Sequence, residues 1–473
     1  MTYDNDYFET NYIWNIVELF NRHLLKNGVN SICIIKTILK VGYFMNKTPI
    51  KLRNTTIYQV FVRNHTSEGT FNSLIKDLDR IKDLGVDILY LLPIHPIGEK
   101  NRKGLLGSPY SIKNYREINP ELGTIDDFIN LINESHERNM KLIIDVVYNH
   151  TSRDSHLLKT HPEWFYKDKN GQFNNRVGEW WDITDFDFTK DKNLWIELAD
   201  TLKYYASLGV DGFRCDVASL VPIDFWKYAR KEVSKINRKA IWISESVHGG
   251  FVKYIRDLGF DAWSESEIYQ VFDMAYDYDA QPYYEGYLKG QRPLKDYLEA
   301  IARQEEIYPG NYVKMKNLEN HDFDRVASYV KNDYFKILNW FGFSFFQKGA
   351  FMLYAGGEYS SDHRPDLFEK DLFRRSTDIT EYLKKLIKIK KRNVFSSGIY
   401  TVNIPEIDGV AYNSFDNEQE AWHGIFNVGQ VDGSIKVKLE DGFYRNQLTG
   451  KMVKVQNGSI DLSRDPIAIR IMK

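Results

Sequence analysis

From Ile57 onward, short apolar runs alternate with helical stretches, and this rhythm constrains the fold of the chain more than any other feature. Ile57–Val62 reads as a strand. Phe71–Leu84 reads as a helix with Leu74, Leu78 and Ile81 on one face, stopped by Gly85. The pattern continues with strands at Val86–Leu92 and Leu142–Val147, separated by a helix over Asp126–Arg138. Further strands are expected at Gly212–Ala218, Ile241–Ser244, Phe260–Trp263, Val313–Leu318 and Ala350–Tyr354. Apolar strands joined through helices specify a parallel sheet covered on both faces. About eight of them over roughly 330 residues predict a closed (β/α)8 barrel. The alternative, an open doubly wound sheet, lacks support from any Gly-rich phosphate loop.

At 473 residues the chain exceeds one ordinary core, and three further pieces stand out. Residues 1–50 read as a helical extension, with Ile13, Val17, Phe20 and Leu24 at helical spacing. The barrel is expected over 51–392. It is interrupted at 151–191 by a stretch rich in Trp, Asp and Asn without helical period, read as a small subdomain beside the barrel mouth. From 393 to 473 short alternating runs, separated by Asp432-Gly433 and Asp441-Gly442, predict a C-terminal antiparallel β-sandwich.

Several function classes drop out. A net charge of −2 with no long basic run gives nucleic acid nothing to bind. The apolar run Ser31–Met45 is broken by Lys36 and Lys40 and is too short to span a bilayer. The first residues are acidic and polar where a secretory signal is basic and then apolar, so a cytoplasmic location is expected. Two cysteines, Cys33 and Cys215, make no disulfide framework, and strand alternation points Cys215 outward from the barrel, away from Arg214 and Asp216.

Four polar clusters end apolar strands: Asp145–His150, Gly212–Asp216, Ile243–Glu245 and Glu319–Asp322. Residues at the C-terminal ends of barrel strands converge even when distant in sequence. Asp216, Glu245 and Asp322 would therefore meet, and a pair of carboxylates on opposite sides of an acetal carbon can split a glycosidic bond. Arg214, two residues before Asp216 on the same strand face, would hold that carboxylate ionised, as a nucleophile needs. Glu245 follows apolar Trp242 and Ile243 with no adjacent cation, so desolvation would suit it to general acid work. The blander readings are a buried Arg214–Asp216 ion pair and a surface carboxylate at Glu245. His150 and His321 suit hydrogen bonds to sugar hydroxyls. No spacing such as HExxH marks a catalytic metal, so the chemistry calls for no cofactor.

These clusters, in this order, resemble the α-amylase family of retaining glycoside hydrolases from about residue 57 to the end. Asp145–His150 is similar to the family's first motif and Gly212–Asp216 to its second, which implies Asp216 as nucleophile and Arg214 as its partner. The strand ending in Glu245 is similar to the third, implying the proton donor. Asn320–Asp322 is similar to the fourth, implying that His321 and Asp322 grip ring hydroxyls. Gly107–Tyr115 also resembles a family segment in which Tyr110 is the platform under the sugar. Asp216 is followed by Val217-Ala218 where the family often has a Lys-His pair, which removes a substrate contact and a calcium-site backbone. Asn149 and Asp185 still match calcium-site positions. The resemblance implies hydrolysis of α-1,4-glucosidic bonds in starch-like glucans or malto-oligosaccharides, with α-1,6 bonds left open by Val217. Transglycosylation is the alternative within the enzyme class, and a non-catalytic sugar-binding barrel the alternative outside it.

Overall fold

The computed structural model describes residues 48–473. Of the expected helical extension over 1–50, residues 1–47 lie outside the described residues.

Eight parallel strands close into a barrel in the order β1-β10-β9-β8-β7-β6-β3-β2. They are β1 (Thr56–Val60), β2 (Ile88–Leu91), β3 (Lys141–Val146), β6 (Gly212–Cys215), β7 (Ile241–Ser244), β8 (Met274–Tyr276), β9 (Lys314–Lys316) and β10 (Ala350–Tyr354). Alternation sorts their side chains between two cores. Ile57, Ile88, Ile143, Ile243, Met315 and Met352 fill the interior. Tyr58, Leu89, Leu142, Phe213, Cys215 and Phe351 pack outward against the helices. Cys215 is buried in that outer layer, as alternation requires.

Among the helices are α1 (Phe71–Ile75), α2 (Leu78–Asp83), α3 (Ile125–Glu137), α4 (Lys192–Ser207), α5 (Ile223–Val233), α6 (Gly249–Asp257), α7 (Leu294–Ile307), α8 (Tyr334–Phe345) and α9 (Thr380–Lys390). α3 shows how they are specified. Thr124 and Asp127 form a capping box, and Phe128, Leu131 and Ile132 are buried on one face. Burying each such side chain contributes about 1.5–3 kcal/mol.

Two expectations are corrected. The helix foreseen over Phe71–Leu84 is two helices, because the chain tightens at the junction, where the Asp77 N–H donates to the Leu74 carbonyl three residues back (2.9 Å). Phe260–Trp263 is not a strand; the barrel uses Met274–Tyr276 instead. Its flank hid this strand: Asp273 accepts the Trp242 backbone N–H (2.9 Å) and pairs with Arg230, so a carboxylate interrupts the apolar pattern.

Between β3 and β6 the inserted stretch is anchored by a two-stranded ribbon, β4 (His150–Ser152) with β5 (Ile183–Asp185). After α9 the chain forms two four-stranded antiparallel sheets, one ordered Ile399–Asn403, Ala411–Asp416, Glu420–Phe426 and Ile467–Met472, the other Ser434–Lys436, Ser459–Asp461, Met452–Gln456 and Gly442–Arg445. Val410, Tyr412, Ile425, Ile435, Ile460 and Ile469 are buried in a common core between them. Among the described residues no helix is long and apolar enough to cross a membrane.

Candidate active site

The floor of the barrel mouth follows from strand alternation. Ile57, Ile143 and Ile243 point inward. Two residues further on, on the same faces, stand Gln59, Asp145 and Glu245, while Arg214 and Asp216 share the inner face of β6. The Arg214 side chain is fully buried. Its Nη1 lies 2.9 Å from Asp145 Oδ1 and 2.9 Å from Asp216 Oδ1, and its Nη2 lies 2.8 Å from Glu245 Oε1. One guanidinium thus serves three carboxylates from three strands.

This sharing alters the expected electrostatics. Burial pushes Asp145 up to about 6 against the pull of Arg214. Burial and the neighbouring Glu245 carboxylate push Asp216 well above the usual carboxylate range, again with Arg214 opposing. Arg214 therefore does not by itself hold Asp216 ionised, and Glu245 does not lack a cation, since it pairs with the same guanidinium. Asp216 and Glu245 thus lean on one guanidinium from adjacent strands.

A hydrogen-bonded chain crosses the floor. The Gln59 amide donates to His321 Nδ1 (3.1 Å), which fixes the tautomer with its proton on Nε2. That nitrogen faces the Tyr110 hydroxyl (2.6 Å) and Asp322 Oδ2 (3.1 Å), and Tyr110 donates in turn to Asp145 Oδ2 (3.0 Å). Tyr90 donates to the same oxygen (2.6 Å). Burial lowers His321 to about 3 and His150 to about 4, so both imidazoles are neutral donors and acceptors. Asn149 donates to His150 Nδ1 (3.2 Å), leaving His150 Nε2 4.0 Å from Asp216 Oδ2.

Two backbone features hold Glu245 and Asp322 in place. Val217 adopts φ 40° and ψ 41°, a left-handed conformation that a β-branched residue takes only under strain of about 1–3 kcal/mol. In that conformation its N–H donates to Glu245 Oε2 (2.7 Å). Beyond β9, Asn320 Oδ1 accepts the backbone N–H of Asp322 (2.8 Å) and of Phe323 (3.0 Å), fixing the turn that presents Asp322. Tyr110, His150, Asp216, Glu245, His321 and Asp322 line one cavity of about 410 Å³. Every residue expected to act on substrate is in that cavity or, as Arg214, directly behind it. The rival acids are elsewhere: Glu265 pairs with Lys314 on the outer side of β9, and Glu267 accepts the Ser264 backbone N–H at the start of the short helix Glu265–Ile268.

The calcium positions tell a different story. Asp185 is buried, and its Oδ2 accepts the Arg176 backbone N–H (2.8 Å) and faces Arg176 Nη1 (3.3 Å). Arg176 Nη2 also donates to the Phe186 carbonyl (2.9 Å). Asn149 turns its amide nitrogen, not its oxygen, to Asp185 Oδ1 (3.5 Å). A guanidinium takes the oxygens a calcium ion needs, and an amide N–H cannot ligate one, so these residues do not fit the ion. Chelation with EDTA is accordingly expected to leave the melting temperature unchanged, while Arg176→Ala lowers it by about 5 °C or more by stranding a buried carboxylate. A comparable fall on chelation of the unaltered protein would show that a cation holds Asp185 instead.

Sequence reasoning passed over Gln59, Tyr90 and Lys103. Gln59 and Tyr90 carried a signal, being polar-tipped residues inside apolar strands. Lys103, which lines the cavity from a loop, carried none.

The sequence matches the family profile described as Alpha amylase, catalytic domain, over residues 51–396, and that of the Bacterial Alpha amylase C-terminal domain over 402–469. The structure of an α-amylase from Lactobacillus plantarum is similar with a TM-score of 0.86 and 42% identity, over 89% of this chain and 100% of that one. A noncanonic maltogenic α-amylase from Thermotoga neapolitana follows with a TM-score of 0.80 and 32% identity, over 89% and 100%. An α-1,4-glucan:maltose-1-phosphate maltosyltransferase of Picrophilus torridus is 34% identical over 208 residues, 40% of this chain and 32% of that protein. The chain thus spans about a third of the length of this curated relative.

Proposed function

The chain belongs to the α-amylase family, and from that premise we propose that it is a retaining glycoside hydrolase cleaving α-1,4-glucosidic bonds in malto-oligosaccharides or starch-like glucans. The observation that carries this reading is the shared guanidinium. Asp216 and Glu245 both contact Arg214 through adjacent nitrogens, which suits the separation of about 5 Å needed by a nucleophile and an acid acting on one anomeric carbon. Asp216 attacks that carbon as Glu245 gives its proton to the departing oxygen. A glycosyl ester on Asp216 results. Water, deprotonated by Glu245, then displaces Asp216 and regenerates both carboxyl states. The Tyr110 ring lies under the reacting sugar, stacked on His321 at 5.3 Å. His150, His321 and Asp322 hold its hydroxyls, and Arg214 spreads the charge that moves between the carboxylates.

A second reading, glycosyl transfer, is favoured by the maltosyltransferase relative. In it a sugar hydroxyl takes the place of water. Transfer from a sugar phosphate is disfavoured on charge: Lys103 is the one Lys or Arg among the described residues lining the cavity, and Glu245's own side offers Val247, His248 and Phe251. A phosphate leaving group calls for cations there. Chromatography of products from maltoheptaose, with and without excess glucose as acceptor, is expected to give shorter sugars in both cases. Products longer than the donor, dominating with acceptor present, would favour transfer. A cytoplasmic location belongs to the same proposal.

A further inference from the structure

The cavity has two unlike sides, and barrel order says which is which. Counting around the ring, β7 stands diametrically opposite β1. Glu245 directly follows β7, so a departing sugar lies over that arc. The glycone, held at Asp216, extends the other way, toward the loops that flank β1: residues 92–124 after β2 and 355–379 after β10.

Those loops are fastened together. The Leu106 N–H donates to the Phe368 carbonyl (3.0 Å), and the Leu105 N–H to Glu369 Oε1 (2.8 Å). Arg63, buried below them, donates to the Gly107 carbonyl (3.2 Å) and the Leu367 carbonyl (3.3 Å). At Gly104, with φ +63°, an added Cβ would meet Phe368 at 2.7 Å, so the approach leaves no room for a side chain. The inserted subdomain joins the same wall. Lys103 Nζ lies 3.0 Å from Asp182 Oδ1 and sits over the rings of Trp181 (4.7 Å) and Phe368 (5.9 Å). Lys103, Asp182, Leu367 and Phe368 all line the cavity. On the opposite side the inserted subdomain meets the chain that follows α6, where Tyr166 lies edge-on to Phe260 (5.7 Å) and Arg176 sits over the same ring (5.6 Å), and neither residue is among those lining the cavity. There the aromatic residues of α6 run outward from Phe251 to Tyr254, with rings 6.1 Å apart and Tyr254 46% exposed.

We propose that this three-loop wall, clasped by Lys103, Asp182 and Phe368, stops the non-reducing end of the glucan, so that the enzyme cuts a short glycone of about two or three glucosyl units from that end. This rests on the hydrolase reading and deepens it. The Lys103 ammonium and the Asp182 carboxylate would donate to and accept from hydroxyls of the terminal sugar, while the rest of the chain leaves along α6. A long glucan therefore enters by its end and not by its middle.

The test compares maltoheptaose with maltoheptaose whose terminal 4- and 6-hydroxyls are tied as an ethylidene acetal, products being separated by chromatography. Free maltoheptaose is expected to yield one short product first. The blocked sugar should be cut at least about a hundredfold more slowly, because the acetal meets the wall. Lys103→Ala and Phe368→Ala, each checked for an unchanged melting curve, should narrow that gap at least about tenfold. Equal rates on both sugars with the unaltered enzyme, or a gap that neither substitution narrows, would overturn the proposal. Cleavage of neither sugar would overturn the hydrolase reading and this one with it.

Discussion

Asp216→Asn is expected to lower turnover of maltoheptaose by about four orders of magnitude or more, with the melting temperature held within a few degrees. The amide is isosteric with the carboxylate but cannot form the glycosyl ester. It still accepts from Arg214 Nη1 through its oxygen, so the buried guanidinium keeps a partner on that side. Because Asp145 and Glu245 retain their own contacts with Arg214, the floor of the site has no reason to collapse. The measurement is steady-state release of shorter sugars beside a thermal melt. A variant that turns over at near-normal speed would remove Asp216 from the chemistry and with it the whole assignment.

Arg214→Met should produce the largest loss of stability of any single change at the site, about 3–5 kcal/mol near pH 8. Methionine fills much of the volume but leaves Asp145, Asp216 and Glu245 facing each other without a cation. The sign of the pH dependence follows from the directions already present. Burial raises Asp145 and Asp216 in the folded protein even with Arg214 opposing, so without it they rise further. The folded variant then binds more protons than its unfolded chain, and its stability falls as pH rises from the unfolded value near 4 through the folded values. Chemical denaturation should therefore show a small deficit at pH 5 and the full deficit at pH 8. An equal deficit at both values would mean that lost packing, and not stranded charge, explains the effect.

The sequence made the floor of the candidate site legible because it is built by strand alternation. Arg214 and Asp216 are two residues apart, and Ile143–Asp145 and Ile243–Glu245 repeat the same spacing, so facing follows from local geometry. The charge balance was not legible, since it depends on three strands delivering carboxylates to one guanidinium. Phe260–Trp263 misled because aromatic and apolar residues alone imitate a strand, whereas Asp273 disguised the real one beside it. The clasp of Lys103 with Asp182 and Phe368 joins loops from distant parts of the chain and carries no periodicity to read. Arg176 lies in the same kind of aperiodic stretch, and its hold on Asp185 appears only when β4 and β5 pair.

The hydrogen bond that Glu245 receives from the main chain at Val217 has a consequence for how this site can change over time. A side-chain tether is lost by one codon change; a peptide N–H survives replacement by any residue except proline. The distance between the Glu245 and Asp216 carboxylates is therefore written into the path of the polypeptide, and neighbouring positions can drift without loosening it.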